Sequence, residues 1–483
     1  MKKMTITQLL QDVPHKIIQE GDTTHITHLT IDSRQVTPSS LFICLKGLTV
    51  DGHSFINNTT AGAVLVETLQ DSYPLGATII QVANTRQAMA YIAANFHHHP
   101  AKSLRLVGVT GTNGKTTTTY FIEEMLRKSN IKTGLIGTVG ARIGTTPLDM
   151  DFATSTTPDP IELHAIFAKM LAEKVDTVVM EVSSHALALY KMAGLTFDVG
   201  VFTNLTQDHL DFHGTMENYK MAKAELFKQS TFAIVNADDE ASKTMLEVHG
   251  SNKYATYSID QPSDWQASNI SYLPVGANFY VQNTAYKLPI SGKFNIYNML
   301  ATMAVATQLG CTPANIKTAV EAMSNVPGRI QSVPNPFGAQ IYVDYAHSPD
   351  SLEKIIASVR EITRGRVITL FGCGGDRDTT KRPIMGQIAA AGSDFVIITS
   401  DNPRTENPFD ILSQIEAGVK NVECALIESR KAAIYTGVKM LNKNDALIIA
   451  GKGHEDYQEV NGVKYPFSDY DTAAAAIKQR GTK

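Results

Sequence analysis

The stretch Gly111-Thr112-Asn113-Gly114-Lys115-Thr116-Thr117 constrains this chain more than any other. An apolar run, Leu104 to Thr110, leads into it. A helical pattern from Thr116 to Lys128 leads out, with Phe121, Ile122, Met125 and Leu126 on one face. A strand that turns through glycines directly into a helix brings backbone N–H groups and the positive end of the helix to one point, which suits a phosphate. On this basis Gly111, Thr112, Asn113, Gly114, Lys115, Thr116 and Thr117 are candidate ATP-binding residues. Lys115 would reach the β- and γ-phosphates and the Thr116 hydroxyl would hold Mg²⁺. The strict spacing asks for glycine at 109, where Val109 stands between Gly108 and Gly111. The plain alternative is a tight glycine turn before a helix. The loop alone does not say which reaction ATP would drive.

The pattern around the loop is α/β. Strands are predicted at Thr177–Val182, Val199–Thr203 and Phe232–Asn236, with helical patterns between several of them, which implies a mostly parallel sheet covered by helices. Pieces near 253–290 read as an antiparallel addition. Before the loop, 41–45 and 63–66 read as buried strands and 88–96 as a helix that ends at the linker His97-His98-His99-Pro100. A second boundary falls at Val326-Pro327-Gly328-Arg329. Strands then restart at Arg366–Phe371, Phe395–Thr399, Cys424–Ile427 and Ala446–Ala450, the signature of a separate doubly wound domain. The expected fold class is α/β in three domains. These are a smaller N-terminal α/β domain over 1–100, a central P-loop parallel-sheet domain over 101–328, and a Rossmann-like doubly wound domain over 329–483.

Composition narrows the partners. With 43 basic and 47 acidic side chains the chain carries no excess suited to nucleic acid or an anionic membrane. Its 4 cysteines are dispersed, which points away from a disulfide framework and towards a reducing compartment. Thr5, Thr7 and Gln8 stand where a signal peptide needs apolar residues, and no run has the length of a membrane span. A cytoplasmic protein is expected.

Ligands of open α/β sheets sit beyond the carboxyl ends of strands. Glu181 ends one such strand and is suited to Mg²⁺ beside a triphosphate; the strand ending at Thr203 leads to Asp208 and His209. Taken singly, either side chain is equally well a solvated or helix-capping group. The triplet His97-His98-His99 is not expected to bind metal, because consecutive side chains point in different directions.

Several ordered segments resemble the Mur ligases. They are Asp32-Ser33-Arg34, the phosphate loop, Glu181-Val182-Ser183-Ser184-His185, Thr203-Asn204-Leu205, Asp208 to Gly214, Asp344 to Asp350, and Gly451-Lys452-Gly453-His454-Glu455. The resemblance covers nearly the whole chain and is strongest to members that extend a UDP-linked muramoyl dipeptide to the tripeptide. It implies a UDP-binding N-terminal domain, a central ATPase domain and a C-terminal domain for the incoming amino acid. By that resemblance Ser33 contacts the UDP moiety; Thr156, Thr157, Ser183 and Lys191 contact the muramoyl dipeptide. Glu181, His209 and Lys223 ligate Mg²⁺ with Thr116, Lys223 as a CO₂-derived carbamate. Asn295 and Asn298 lie near adenine, and Arg329 and Asp344 close over the nucleotide. Lys191 departs from the family, which usually has arginine there; lysine acts as a point charge where arginine offers a planar fork.

The resemblance also links Asp401-Asn402-Pro403-Arg404 with meso-diaminopimelate. Diaminopimelate differs from lysine by a distal carboxylate, which fits the planar fork of Arg404. Lysine in its place would leave the guanidinium without a partner. Arg377 is a second candidate anion contact; Gly451 and Glu455 would receive the polar ends of the amino acid. The implied catalytic set is Lys115, Lys223, His209 and Glu181. The implied reaction runs through an acyl phosphate formed on the γ-carboxylate of D-glutamate, with closure near Pro327-Gly328 to exclude water. The expected partners are these small molecules, with no nucleic acid, no membrane and a monomeric protein. The alternatives are the L-lysine-adding ligase, a folylpolyglutamate-type synthetase and, from another class, an ATP-binding switch without ligase activity.

Overall fold

Strands with no polar alternation need cover on both faces, and the structure supplies it. The computed structural model describes residues 3–47, 50–148, 156–273 and 276–481; Ser155 of the Thr156-Thr157 segment lies outside them. The chain divides into two units, residues 1–265 with 301–316 and residues 266–300 with 317–483.

The first unit holds two sheets. In the smaller, the strands run Lys16–Gln19, Thr78–Gln81, Ala63–Val66, Ser40–Ile43 and His28–Thr30, parallel except for the first pair. The helix Thr85–Phe96, capped by Asn84, packs its Met89, Ile92 and Phe96 on this sheet. In the larger sheet the parallel strands run Tyr254–Ser258, Ser230–Asn236, Phe197–Phe202, Arg105–Thr110, Thr177–Glu181 and Thr133–Gly137. The phosphate-loop strand Arg105–Thr110 is therefore central, with the strand of Glu181 on one side and that of Phe202 on the other. Its apolar residues are fully buried.

Two features of this sheet differ from the sequence expectation. Tyr254–Ser258 pairs in parallel, so it extends the main sheet rather than adding an antiparallel piece. The antiparallel part is a separate three-stranded sheet in the second unit, Ser268–Tyr272, Ala277–Val281 and Thr284–Leu288. The hairpin Thr133–Gly137 with Gly140–Ile143 is also unforeseen. Its Arg142 donates to Glu123, a buried carboxylate on the helix Lys115–Lys128, at 2.7 Å, and Thr133 Oγ1 donates to the same carboxylate at 2.8 Å. A buried carboxylate is costly unless paired, so this pairing anchors the hairpin to the helix.

The second unit has a six-stranded sheet ordered Gln331–Ser332, Gln340–Asp344, Ala446–Ala450, Val367–Phe371, Phe395–Ile398 and Cys424–Leu426. All neighbours are parallel except the first pair. Apolar clusters cover both faces, with Leu352, Ile356, Met385 and Ile415 on one and Ile434, Val438, Leu441 and Ala473 on the other. Beneath the strand ends, the fully buried Arg430 pairs with the equally buried Asp469 at 2.7 Å and donates to the carbonyls of Ser400 and Ala450. A hairpin, Tyr457–Val460 with Val463–Pro466, follows the last core strand. Among the described residues, no helix is long and apolar enough to cross a membrane.

Candidate active site

The phosphate loop is shaped by its neighbours as well as by its glycines. Gly111 has φ 150°, and a Cβ there would lie 1.9 Å from Thr203 Oγ1, so no side chain fits. Gly114, at φ 85°, caps the helix Lys115–Lys128. The loop after the strand Phe197–Phe202 grips the turn from the side. Asn204 Oδ1 accepts from Asn113 N at 3.0 Å, Asn204 O accepts from Thr112 N at 2.8 Å, and Thr203 Oγ1 donates to Asn113 O at 2.6 Å.

Charged side chains converge on this loop from two directions. From the strand Thr177–Glu181, Glu181 accepts from Thr116 Oγ1 at 3.1 Å and from the Thr138 backbone at 2.9 Å. From the helix Met216–Lys228, Lys223 Nζ donates to Gly111 O at 2.8 Å, and Lys115 Nζ donates to the same carbonyl at 3.0 Å. Burial, aided by the nearby Lys115, drives the Lys223 amine well below its ordinary value. A neutral amine is the form that takes up CO₂. Tyr219, one turn earlier on the same face, lies with its ring 4.2 Å from Lys223 Nζ and its hydroxyl 3.2 Å from Thr112 Oγ1. His209, in a left-handed turn at φ 52°, has its ring 6.1 Å from that of Tyr219 and edge-on to it. Burial lowers His209 and takes its neighbour His185 down to about 4.

The residues expected at the muramoyl dipeptide lie beside Glu181. Thr157 Oγ1 donates to Glu181 O at 3.0 Å and accepts from Ser183 N at 3.2 Å. Thr156 Oγ1 is 3.4 Å from Thr138 Oγ1, whose own proton reaches Glu181. Lys191 is buried, donates to Thr157 O at 3.2 Å and pairs with Asp159 at 3.0 Å. Ser33 is placed apart, half-buried in a short helical turn capped by Asp32. Among the described residues, no hydrogen bond joins Ser33 to the phosphate-loop cluster.

In the second unit, Asn295 Nδ2 donates to Ser291 O at 2.8 Å and its Oδ1 accepts from Asn298 at 3.2 Å, both on the buried first turns of the helix Lys293–Gln308. Asp344 ends a strand and accepts from the backbone N–H groups of Ile330 and Ala346 at 2.7 and 2.8 Å. Burial raises its carboxyl, opposed by Arg329, whose guanidinium lies 4.7 Å from the centre of the Tyr345 ring.

The segment Asp401-Asn402-Pro403-Arg404 leaves the strand Phe395–Ile398 and is held by the following hairpin. Asn402 Nδ2 donates to Glu455 at 3.0 Å, and Gln458 donates to Asp401 O at 2.7 Å. Gly451 sits at φ 118°, a backbone conformation that other residues rarely adopt, and a Cβ there would stand 2.5 Å from Asp401 Oδ2. Arg404 Nε donates to Glu459 at 3.2 Å and its Nη1 to Gly375 O at 2.7 Å. Arg404, the candidate contact for a distal carboxylate, thus also has partners within the protein. Glu459 already offsets its charge. Arg377 is exposed, on the loop whose Asp376 is tied to Thr405.

Thr138, Asn204, Tyr219, Lys452 and Glu459 complete these clusters without having been singled out by the sequence. Tyr219 was readable in principle, since its four-residue spacing from Lys223 puts both on one helix face. Asn204 lies in a segment that carries the resemblance. Glu459 had no signal, because its partner is 55 residues away.

Comparison with known proteins agrees along the chain. Residues 25–97 match the catalytic domain of the Mur ligase family, 109–306 the Mur ligase middle domain, and 328–453 the Mur ligase glutamate ligase domain. UDP-N-acetylmuramoyl-L-alanyl-D-glutamate--2,6-diaminopimelate ligase 1 of Clostridium acetobutylicum is 40% identical over 99% of this chain and 100% of its own length. The ligase of the same name from Alkaliphilus metalliredigens is 42% identical over 99% of this chain and 98% of its own. A solved structure of such a 2,6-diaminopimelate ligase superposes with a TM-score of 0.71 at 30% identity, covering 99% of both chains. The MurF ligase of Thermotoga maritima, solved with ADP, shares the fold, with a TM-score of 0.61 at 18% identity over 94% of this chain and 98% of its own. Full-length relatives at this identity, with domain matches in the same order, place the chain in the Mur ligase family.

Proposed function

We infer that this chain joins meso-diaminopimelate to UDP-N-acetylmuramoyl-L-alanyl-D-glutamate, using ATP. The observation that carries the inference is full-length identity of about 40% to several ligases named for this reaction. The Asp401 to Arg404 segment with Glu455, a cation and anions on one loop system, supports it. The three-domain division at 100/101 and 328/329 belongs to the same proposal, as do a cytoplasmic location and a monomeric state.

The residues fit a magnesium nucleotide. Glu181 and Thr116 bring two hard oxygen donors together at the loop. Among the described residues, no three His, Cys, Asp or Glu side chains cluster as a metal site. Thr116, Glu181, His209 and Lys223, the last as its carbamate, would hold Mg²⁺ together with the nucleotide. Bound there, Mg²⁺ supplies charge neutralisation at the transferring phosphoryl group. Lys115, now on the carbonyls of Gly111 and Thr112, turns to the phosphates. Thr156, Thr157, Ser183 and Lys191 orient the dipeptide so that its γ-carboxylate meets the γ-phosphate in line. The acyl phosphate formed is then attacked by the amine of diaminopimelate, and phosphate leaves. Arg404 reads the distal carboxylate and Glu455 an ammonium.

The test is a mass-spectrometric ligation assay with ATP, Mg²⁺ and the UDP-linked dipeptide, with meso-diaminopimelate and L-lysine in parallel. Product with diaminopimelate alone is the expected result. Product mainly with lysine keeps the family and overturns the reading of Arg404. No product with either, despite ATP binding, overturns the ligase assignment for this acceptor and favours the switch.

A further inference from the structure

Lys452 stands out as a charge for which the reaction has no use. Its side chain is fully buried and lies just beyond the strand Ala446–Ala450. Nζ donates to Asn402 Oδ1 at 2.9 Å and to Glu455 Oε2 at 2.8 Å, and Asn402 Nδ2 donates to the same Glu455 oxygen at 3.0 Å. The three side chains close a ring of hydrogen bonds. Asn402 Oδ1 also accepts from Glu459 N at 2.9 Å. The amide of Asn402 is thereby fixed, with its oxygen on two donors and its nitrogen on a carboxylate. The remaining side of the ammonium faces the Tyr457 ring, 5.3 Å away.

We propose that Lys452 is a positioning residue of the amino-acid site, setting Glu455 and Asn402 from beneath without touching substrate. Among the described residues the side-chain hydrogen bonds of Glu455 fall on Oε2, which leaves Oε1 to receive the ammonium of the incoming amino acid. A carboxylate on a flexible stem has many rotamers; two donors on one oxygen select one of them. Pre-set geometry is what lowers the cost of ordering a site when ligand arrives. The ammonium also balances the charge of the partly buried Glu455, so an ion pair stands ready there. Alternating glycines make the placement possible: Gly451 and Gly453, at φ 118° and 55°, turn the backbone so that Lys452 points inward between them. The proposal rests on the assignment of diaminopimelate to this loop system.

The test is steady-state ligation by wild type and Lys452→Met, varying diaminopimelate, ATP and the UDP-linked dipeptide in turn. Loss of a charged hydrogen bond that orients a ligand group predicts a KM for diaminopimelate raised about tenfold or more. The KM values for ATP and the dipeptide should stay within about twofold, a split that general destabilisation does not produce. If Lys452 works through Glu455, adding K452M to Glu455→Gln should cost less than about twofold further in that KM, because the two changes break one unit. Multiplying effects, or an unchanged KM for diaminopimelate in K452M, overturns the proposal while leaving the ligase reading intact. Failure of wild type to use diaminopimelate removes both. If K452M cannot be purified folded, Lys452→Gln, which keeps a neutral donor on a shorter stem, should likewise raise the KM for diaminopimelate and leave that for ATP alone, and an unchanged KM for diaminopimelate overturns the proposal.

Discussion

The phosphate loop and the Asp401–Arg404 loop both lie at the carboxyl ends of parallel strands, yet they are held in different ways. The first is fixed mostly through backbone: Gly111 O, Thr112 N and Asn113 N and O take most of its contacts. The second is fixed through side chains, with Arg404 on Glu459, Asn402 on Glu455 and Lys452 beneath. A phosphate looks much the same in every nucleotide, so a backbone cradle serves it. An amino-acid side chain has to be told apart from its relatives, and that needs side chains which can be changed one at a time. It follows that damage at the first site should abolish the reaction, and damage at the second should mainly alter affinity and choice.

The sharpest break of this contrast is Lys115→Met. Turnover should fall by about a thousandfold or more, while the protein still melts cooperatively in calorimetry. A loss under tenfold would mean that the loop does not handle the transferring phosphate. Glu181→Gln keeps the shape and most hydrogen bonds but removes a charge suited to Mg²⁺. Turnover should drop about a hundredfold, with the Mg²⁺ concentration for half-maximal rate shifted upward; an unchanged Mg²⁺ titration would count against Glu181 as a ligand. Arg404→Lys should raise the KM for diaminopimelate by about ten- to a hundredfold and leave the KM for ATP alone, because a point charge replaces the fork. Smallest is Glu459→Gln. Arg404 keeps a hydrogen bond but loses its counter-ion, so the ratio of kcat/KM for diaminopimelate over lysine should rise by about two- to fivefold. A fall in that ratio would show that Glu459 orients the fork more than it offsets its charge.

Much of this was legible in sequence because it is local. The phosphate loop, the strand ending in Glu181 and the strand before Asp401 are each written in a few consecutive residues, and continuous apolar runs mark buried parallel strands. The errors came where pairing is long-range. Nothing in Tyr254–Ser258 itself says that it joins a parallel neighbour, and the hairpin Tyr457–Pro466 is only partly buried, without a strong period. Lys223 was legible only through the resemblance. Its burial and its contact with Gly111, 112 residues away, are tertiary facts.

Arg404 and Glu459 together have a consequence for how such an enzyme diverges. If Arg404 were exchanged for a neutral residue, the loop would lose a donor for a carboxylate. It would also uncover Glu459, an acceptor for an ammonium, in the same place. The pair thus stores both polarities, one masking the other. One substitution at Arg404 would therefore reverse the charge that this loop presents.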